Sequence, residues 1–132
     1  MFVFAGRQPN IELALPYYHR ILENNPNVEL HVWDLCRERG DSKYLRSLPT
    51  SDRFQVRTDF YQGDGKASRG QNRVWKHYAQ PDYQNCLFVK LDDDCVFLEA
   101  EGFQEFINAI DDTHVTSGLV INNGASTRHT RS

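Results

Sequence analysis

Apolar residues fall along this chain in two patterns, short runs and helically spaced stripes. Phe2-Val3-Phe4-Ala5 is a run and predicts a strand, broken by the loop Gly6-Arg7-Gln8-Pro9. Ile11, Ala14, Leu15, Tyr18 and Leu22 then share one helical face, with Asn10 the expected cap. Pro16 removes one donor and predicts a kink or a delayed regular start, and Asn24-Asn25-Pro26-Asn27 ends the helix. Residues 28–35 predict a second strand. Past the charged loop 37–42, Asp41 is expected to cap a short helix carrying Tyr44, Leu45 and Leu48. After a turn at 49–52, Phe54, Val56 and Thr58 alternate with polar residues, as in a strand with one wet face. Ser68 and Gln71 have capping-box spacing and open a helix expected to bury Val74, Trp75 and Tyr78. Leu87 to Leu91 reads as a fourth, buried strand. Residues 101–110 predict a helix with Phe103, Phe106, Ile107 and Ile110 on one face. Residues 115–121 predict a further strand, Asn122-Asn123-Gly124 a turn, and residues 125–132 a frayed polar tail.

Strands alternating with helices imply an α/β domain over residues 1–124, a mainly parallel sheet with helices on both faces. In such sheets ligands sit beyond the carboxyl ends of the strands, where strand order reverses. With the order 3-2-1-4, that point lies between the first and fourth strands. It puts Gly6 and Arg7 beside Asp92-Asp93-Asp94, with Asp34 on the same rim.

Composition narrows the functional classes. A net charge of -3 and no long basic run exclude general attraction to nucleic acid, so any phosphate contact must be local. Met1 runs directly into the first strand without a basic leader or long apolar segment, which predicts no signal peptide and no membrane span. Three cysteines without C-x-x-C spacing argue against a disulfide framework or a zinc site and fit reduced thiols in a cytoplasmic protein. Cys86 and Cys95 are expected to be small packing residues.

The acidic triplet carries the chemistry. Three carboxylates repel one another unless a cation or several donors sit among them. Alternation along an extended chain would point Asp92 and Asp94 the same way, and hard oxygen ligands suit a divalent cation, Mg2+ or Mn2+. Arg7, Lys66 and Arg69 are the cationic candidates for phosphate. The five histidines are scattered singly and are read as structural or exposed, Trp75 and Tyr78 as core. Gly63 and Gly65 lack the context of a nucleotide-binding fingerprint, and the spacing after the triplet excludes an EF-hand.

Together these motifs resemble the nucleotide-binding half of a GT-A glycosyltransferase, in layout the inverting family-two type. The matching stretches are Phe4-Ala5-Gly6-Arg7, Asp34, Gly70 and Asn72 within Arg69-Gly70-Gln71-Asn72-Arg73, and Asp92-Asp93-Asp94. The resemblance implies a sugar-nucleotide donor bound by Ala5, Gly6, Arg7, Asp34, Lys66, Arg69, Asn72, Asp92 and Asp93. It implies a divalent metal on Asp92 and Asp94, and transfer to an acceptor the sequence does not name. Leu35-Cys36-Arg37 stands where the family carries Asp-Gly-Ser after the second strand. The family's acceptor site and catalytic base lie in a later part, so this chain is expected to bind donor and transfer poorly, with Glu99 as the in-chain substitute base. Two alternatives stay open: a nucleotidyltransferase-like enzyme, and a non-catalytic metal- or nucleotide-binding fragment.

Overall fold

The computed structural model describes residues 1–63 and 67–116. The chain divides into two compact units, Met1–Ala100 and Glu101–Ser132.

The first unit holds a four-stranded sheet in the order β3-β2-β1-β4, in which every pairing is parallel. The strands are β1 (Phe2–Ala5), β2 (Leu30–Asp34), β3 (Phe54–Arg57) and β4 (Lys90–Leu91). They alternate with α1 (Gln8–Asn24), α2 (Arg39–Ser47) and α3 (Ala67–Tyr78). This is the expected α/β, Rossmann-like order. The period-two alternation of the strands feeds two cores. Val3, Ala5, Leu30, Val32 and Phe54 pack with Ile11, Ala14, Tyr18 and Leu22 of α1 and Leu45 of α2. Phe2, Trp33 and Leu35 turn to the other face and pack with Val74 and Tyr78 of α3. All five residues of β2 are buried, because it is central and covered on both faces.

Several local expectations need correction. Helix α1 begins two residues before Asn10 and takes no cap from its own preceding side chain. Instead Asp41, in the first turn of α2, accepts from the backbone N–H of Gln8 at 3.0 Å. Asp41 thus caps α1, not α2; a carboxylate is favourable at a helix N-terminus wherever it comes from. The helix runs through Pro16, and at its far end Arg53 donates to the carbonyls of Leu22, Asn25 and Val28 while Asn25 donates to Ile21. Ser68 lies inside α3 rather than at its cap. Trp75 is half-exposed at 48%, set edge-on against Phe2 and Phe4 rather than buried beneath them.

The largest difference is β4. The run Leu87–Leu91 was expected to be buried, yet Leu87 is 57% exposed and Phe88 39%. The physical reason is its place at the sheet edge: β1 covers one side and, among the described residues, no strand covers the other. Cys86 is likewise exposed rather than packed, Cys95 is half-buried, Cys36 is buried, and all three thiols are free.

In the second unit, α4 (Phe103–Asn108) is shorter than the expected 101–110, and Asp111 accepts from the N–H groups of Thr113 and His114 just after it. Val115 and Thr116 are not in a strand. The rest of the expected strand, the turn at 122–124 and the tail lie outside the described residues.

Tyr18 is 1% exposed and its hydroxyl has no hydrogen-bond partner among the described residues. An unsatisfied buried hydroxyl is costly, so Tyr18→Phe should raise the denaturation midpoint, by about 1 kcal/mol in free energy; a fall would show that the hydroxyl is satisfied. On the other face, Trp33 Nε1–H donates to the Tyr78 oxygen at 2.9 Å, leaving the Tyr78 hydroxyl proton for Nδ1 of His31 at 2.6 Å. That arrangement needs neutral His31. Burial lowers its pKa, helped by Arg57 and opposed by Glu29. A histidine depressed in the folded state is protonated first in the unfolded chain. Its contribution is therefore complete above about pH 6.5 and is lost as pH falls below it. Denaturation at neutral and mildly acid pH should show His31→Gln losing less stability on acidification than the wild type.

Candidate functional site

At the carboxyl end of β1 the chain passes through Gly6 and Arg7 into α1, and at the end of β4 it enters the acidic triplet. The parallel register of Phe2 with Lys90 and Val3 with Leu91 puts these two exits side by side. A Cβ built on Gly6 would stand 2.8 Å from Asp93 Oδ2, so a side chain here would have to displace that carboxylate. Arg7 Nε donates to the same oxygen at 3.3 Å. The Arg7 side chain is 61% exposed, so this ion pair is worth only about 0–1 kcal/mol and is free to exchange partners. The structure thus brings Gly6, Arg7 and Asp93 together, as expected of the strand-order reversal.

The triplet is not extended, which corrects the alternation argument. Cys95 N–H donates to the Asp92 carbonyl at 3.1 Å, closing a turn with Asp93 and Asp94 at its centre. The three carboxylates have three environments. Asp93 turns back to Gly6 and Arg7, Asp92 is held by the Lys90 ammonium, and Asp94 is exposed with no ion pair among the described residues. Among those residues no group of three or more His, Cys, Asp or Glu side chains could hold a metal by itself. Asp92 and Asp94 still supply two carboxylates on one turn. That donor set fits a magnesium-like ion, which takes one or two carboxylates and completes its shell with water and phosphate. Lys90 would first have to release Asp92.

Asp34, at the end of β2, is fully buried. Its Oδ1 accepts from the backbone N–H of Cys36 at 3.3 Å. Its Oδ2 accepts from Ser42 Oγ at 2.6 Å and from Arg46 Nε at 2.9 Å. Both oxygens are engaged within the chain and have no solvent exposure. The Arg46 guanidinium also lies 4.6 Å over the Tyr61 ring, so α2 and the loop after β3 meet at this carboxylate. Burial pushes the neighbouring Cys36 thiol well above the usual cysteine range, reinforced by the charges of Asp34, Asp41 and Asp93. A thiol so held is protonated and unreactive. Its S–H faces the Ala5 carbonyl at 3.6 Å, and Ala5 itself is buried, contributing backbone only.

Arg69 and Asn72 are exposed on α3 and make no hydrogen bond or ion pair among the described residues. Gly70 between them is buried, and a Cβ there would stand 2.5 Å from Leu35 Cδ2 and 3.2 Å from the Phe60 carbonyl. It lets α3 approach the end of β2 closely. Glu99 is exposed in the segment after the acidic turn. Lys66 lies outside the described residues. Ser42, Arg46 and Lys90 were missed by sequence reasoning. Ser42 and Arg46 stand four residues apart on one helical face, a visible signal, but nothing local names Asp34 as their partner.

Asp34→Ala should cost roughly 2–4 kcal/mol, because the Ser42 hydroxyl and the Cys36 N–H lose their acceptor in a buried place. Asp34→Asn should cost less, since its amide oxygen still accepts. Chemical denaturation of both variants checks this, and unchanged stability in Asp34→Ala would remove the carboxylate from its structural role. No family model, curated protein or solved structure matches this chain.

Proposed function

We propose that this chain binds a sugar nucleotide with Mg2+ or Mn2+ at the carboxyl ends of β1 and β4, as the donor-binding part of a GT-A-type glycosyltransferase. The observation that carries the reading is the meeting of Gly6, Arg7 and Asp93 at the reversal of a parallel 3-2-1-4 sheet. Ligands of such sheets lie at that crevice.

Each residue has a role its surroundings support. Gly6 lets the Asp93 carboxylate lie against the first-strand loop. Arg7, exposed and weakly paired, is free to turn its guanidinium to a diphosphate, for which its fork geometry is suited. Asp92 and Asp94 would hold the cation, which when bound offsets the charge that develops on the leaving diphosphate. Asp93 positions Arg7 and the first-strand loop. Asp34 fixes the end of β2 against α2, which supports the rim of the site. Arg69 and Asn72 present polar side chains on α3 that a ligand bound at this rim could recruit.

Calorimetric titration of a nucleoside diphosphate in the presence of manganese tests the site. Wild type should bind, and Asp94→Ala should bind at least about tenfold more weakly, roughly 1.4 kcal/mol. Equal affinity in the two proteins, or binding that ignores the metal, removes the assignment. With a sugar nucleotide as substrate, release of nucleoside diphosphate is the expected product, and pyrophosphate would point to nucleotidyl transfer instead.

A further inference from the structure

We infer that Tyr18 is a positioning residue of the acidic turn: its buried hydroxyl stands without a partner in the free protein and donates to the Asp93 carboxylate when Arg7 leaves that carboxylate for a ligand's diphosphate. This deepens the nucleotide reading and rests on it.

Placement comes first. Tyr18 lies in α1 and is 1% exposed. It belongs to the core cluster that holds Ala5, the residue before Gly6. Leu91 and Leu98, which precede and follow the acidic turn, pack against the same cluster. Its neighbour Tyr17 meets the Phe97 ring edge-on at 5.9 Å, so the chain leaving the turn runs along this stretch of α1. The phenol therefore lies beneath the exits of β1 and β4. Its acidity reports the same surroundings: burial raises the Tyr18 pKa, and the charges of Cys95 and Asp93, both in the turn, add to the rise.

The hydroxyl is out of keeping with that depth. A phenol both donates and accepts, yet this one has no partner among the described residues. Polar atoms so deeply buried are nearly always paired, and an unpaired one marks stored strain or a functional place. Tyr78, on the other face of the sheet, follows the rule through Trp33 and His31.

Asp93 is the acceptor whose surroundings change. In the free protein its Oδ2 takes Arg7 Nε at 3.3 Å, a long contact to an exposed side chain. A diphosphate offers the guanidinium fork two charged oxygens at once and outbids that contact. Asp93 then has one donor fewer, and the Tyr18 hydroxyl is the donor with nothing else to bond. Cys36 also feels the Asp93 charge, but its S–H already faces the Ala5 carbonyl. An unmet hydroxyl that is satisfied only in the bound state adds to affinity, because a ligand gains whatever interaction differs between the two states. Phenylalanine at this position removes the cost from the free protein and the bond from the complex.

The test uses the full chain, with manganese and whichever of the adenosine, cytidine, guanosine and uridine diphosphates wild type binds tightest. Free Tyr18→Phe should be at least as stable as wild type and should bind about tenfold more weakly by calorimetry, the size of one hydrogen bond to a charged group. A merely structural tyrosine would move stability and leave affinity alone. In an Asp93→Ala background, where the acceptor is gone, Tyr18→Phe should change affinity by less than about twofold. Where Asp93→Ala binds too weakly to titrate, the near-ultraviolet tyrosine absorption decides: a shift to longer wavelength on binding should appear in wild type and be missing in Tyr18→Phe. Equal affinity in wild type and Tyr18→Phe overturns the inference while the nucleotide site stands. So does a loss that persists undiminished in Asp93→Ala, a missing absorption shift, or a free Tyr18→Phe less stable than wild type. A wild type that binds none of the nucleotides removes the site and the inference together.

Discussion

A carboxylate without solvent exposure holds the carboxyl end of β2, and much of the rim hangs from it. Asp34 gathers the Cys36 N–H, the Ser42 hydroxyl and the Arg46 guanidinium. A buried charge is tolerated only when it is paired and its remaining lone pairs are used. Meeting that constraint fixes α2 against the end of β2. Asp41 of the same helix then caps α1 through the Gln8 N–H, which sets where α1 begins. Just before that start lie Gly6 and Arg7, set against Asp93 by the parallel pairing of β1 with β4. One buried charge at the central strand is thereby linked, through a helix and a cap, to the element that follows this cluster.

The two faces of the sheet are built differently. The α1–α2 face is mostly aliphatic, and its Tyr18 hydroxyl has no hydrogen-bond partner among the described residues. The α3 face is aromatic and carries the bonded set His31, Trp33 and Tyr78, with Phe60 stacked on Trp33 at 5.2 Å. Polar atoms on that face are satisfied by one another, which ties Tyr78 to two positions of β2 and so limits how α3 can slide. Close approach of α3 also needs Gly70, where a side chain would meet Leu35.

Three identical residues in the acidic turn end in three states. Asp93 is turned inward and spent on the β1 loop, Asp92 is neutralised by Lys90, and Asp94 is exposed to water. Self-repulsion among the carboxylates is relieved by two cations from different places in the sequence. Both ion pairs involve exposed groups and are weak, so either is open to exchange for a ligand's phosphate or metal.

The alternation of apolar runs and helical stripes determined the α/β class and the strand and helix sequence of the first unit, whereas the joining of Gly6–Arg7 to the triplet followed only with the strand order 3-2-1-4. These depend on local periodicity and on handedness rules that hold for any parallel sheet. Tertiary structure decided the rest. Burial of Leu87 and Phe88 could not be read from their hydrophobicity, because an edge strand and a central strand share the same apolar run and differ only in neighbours. Asp41 and Ser68 matched capping patterns that depend only on spacing, yet the Asp41 carboxylate found a helix end remote in sequence and Ser68 fell inside its own helix. Asp34 looked like a rim carboxylate from its position at a strand's end. Its partners Ser42 and Arg46 become visible only when α2 folds back over β2, since a buried carboxylate's environment is set by groups that no local pattern names.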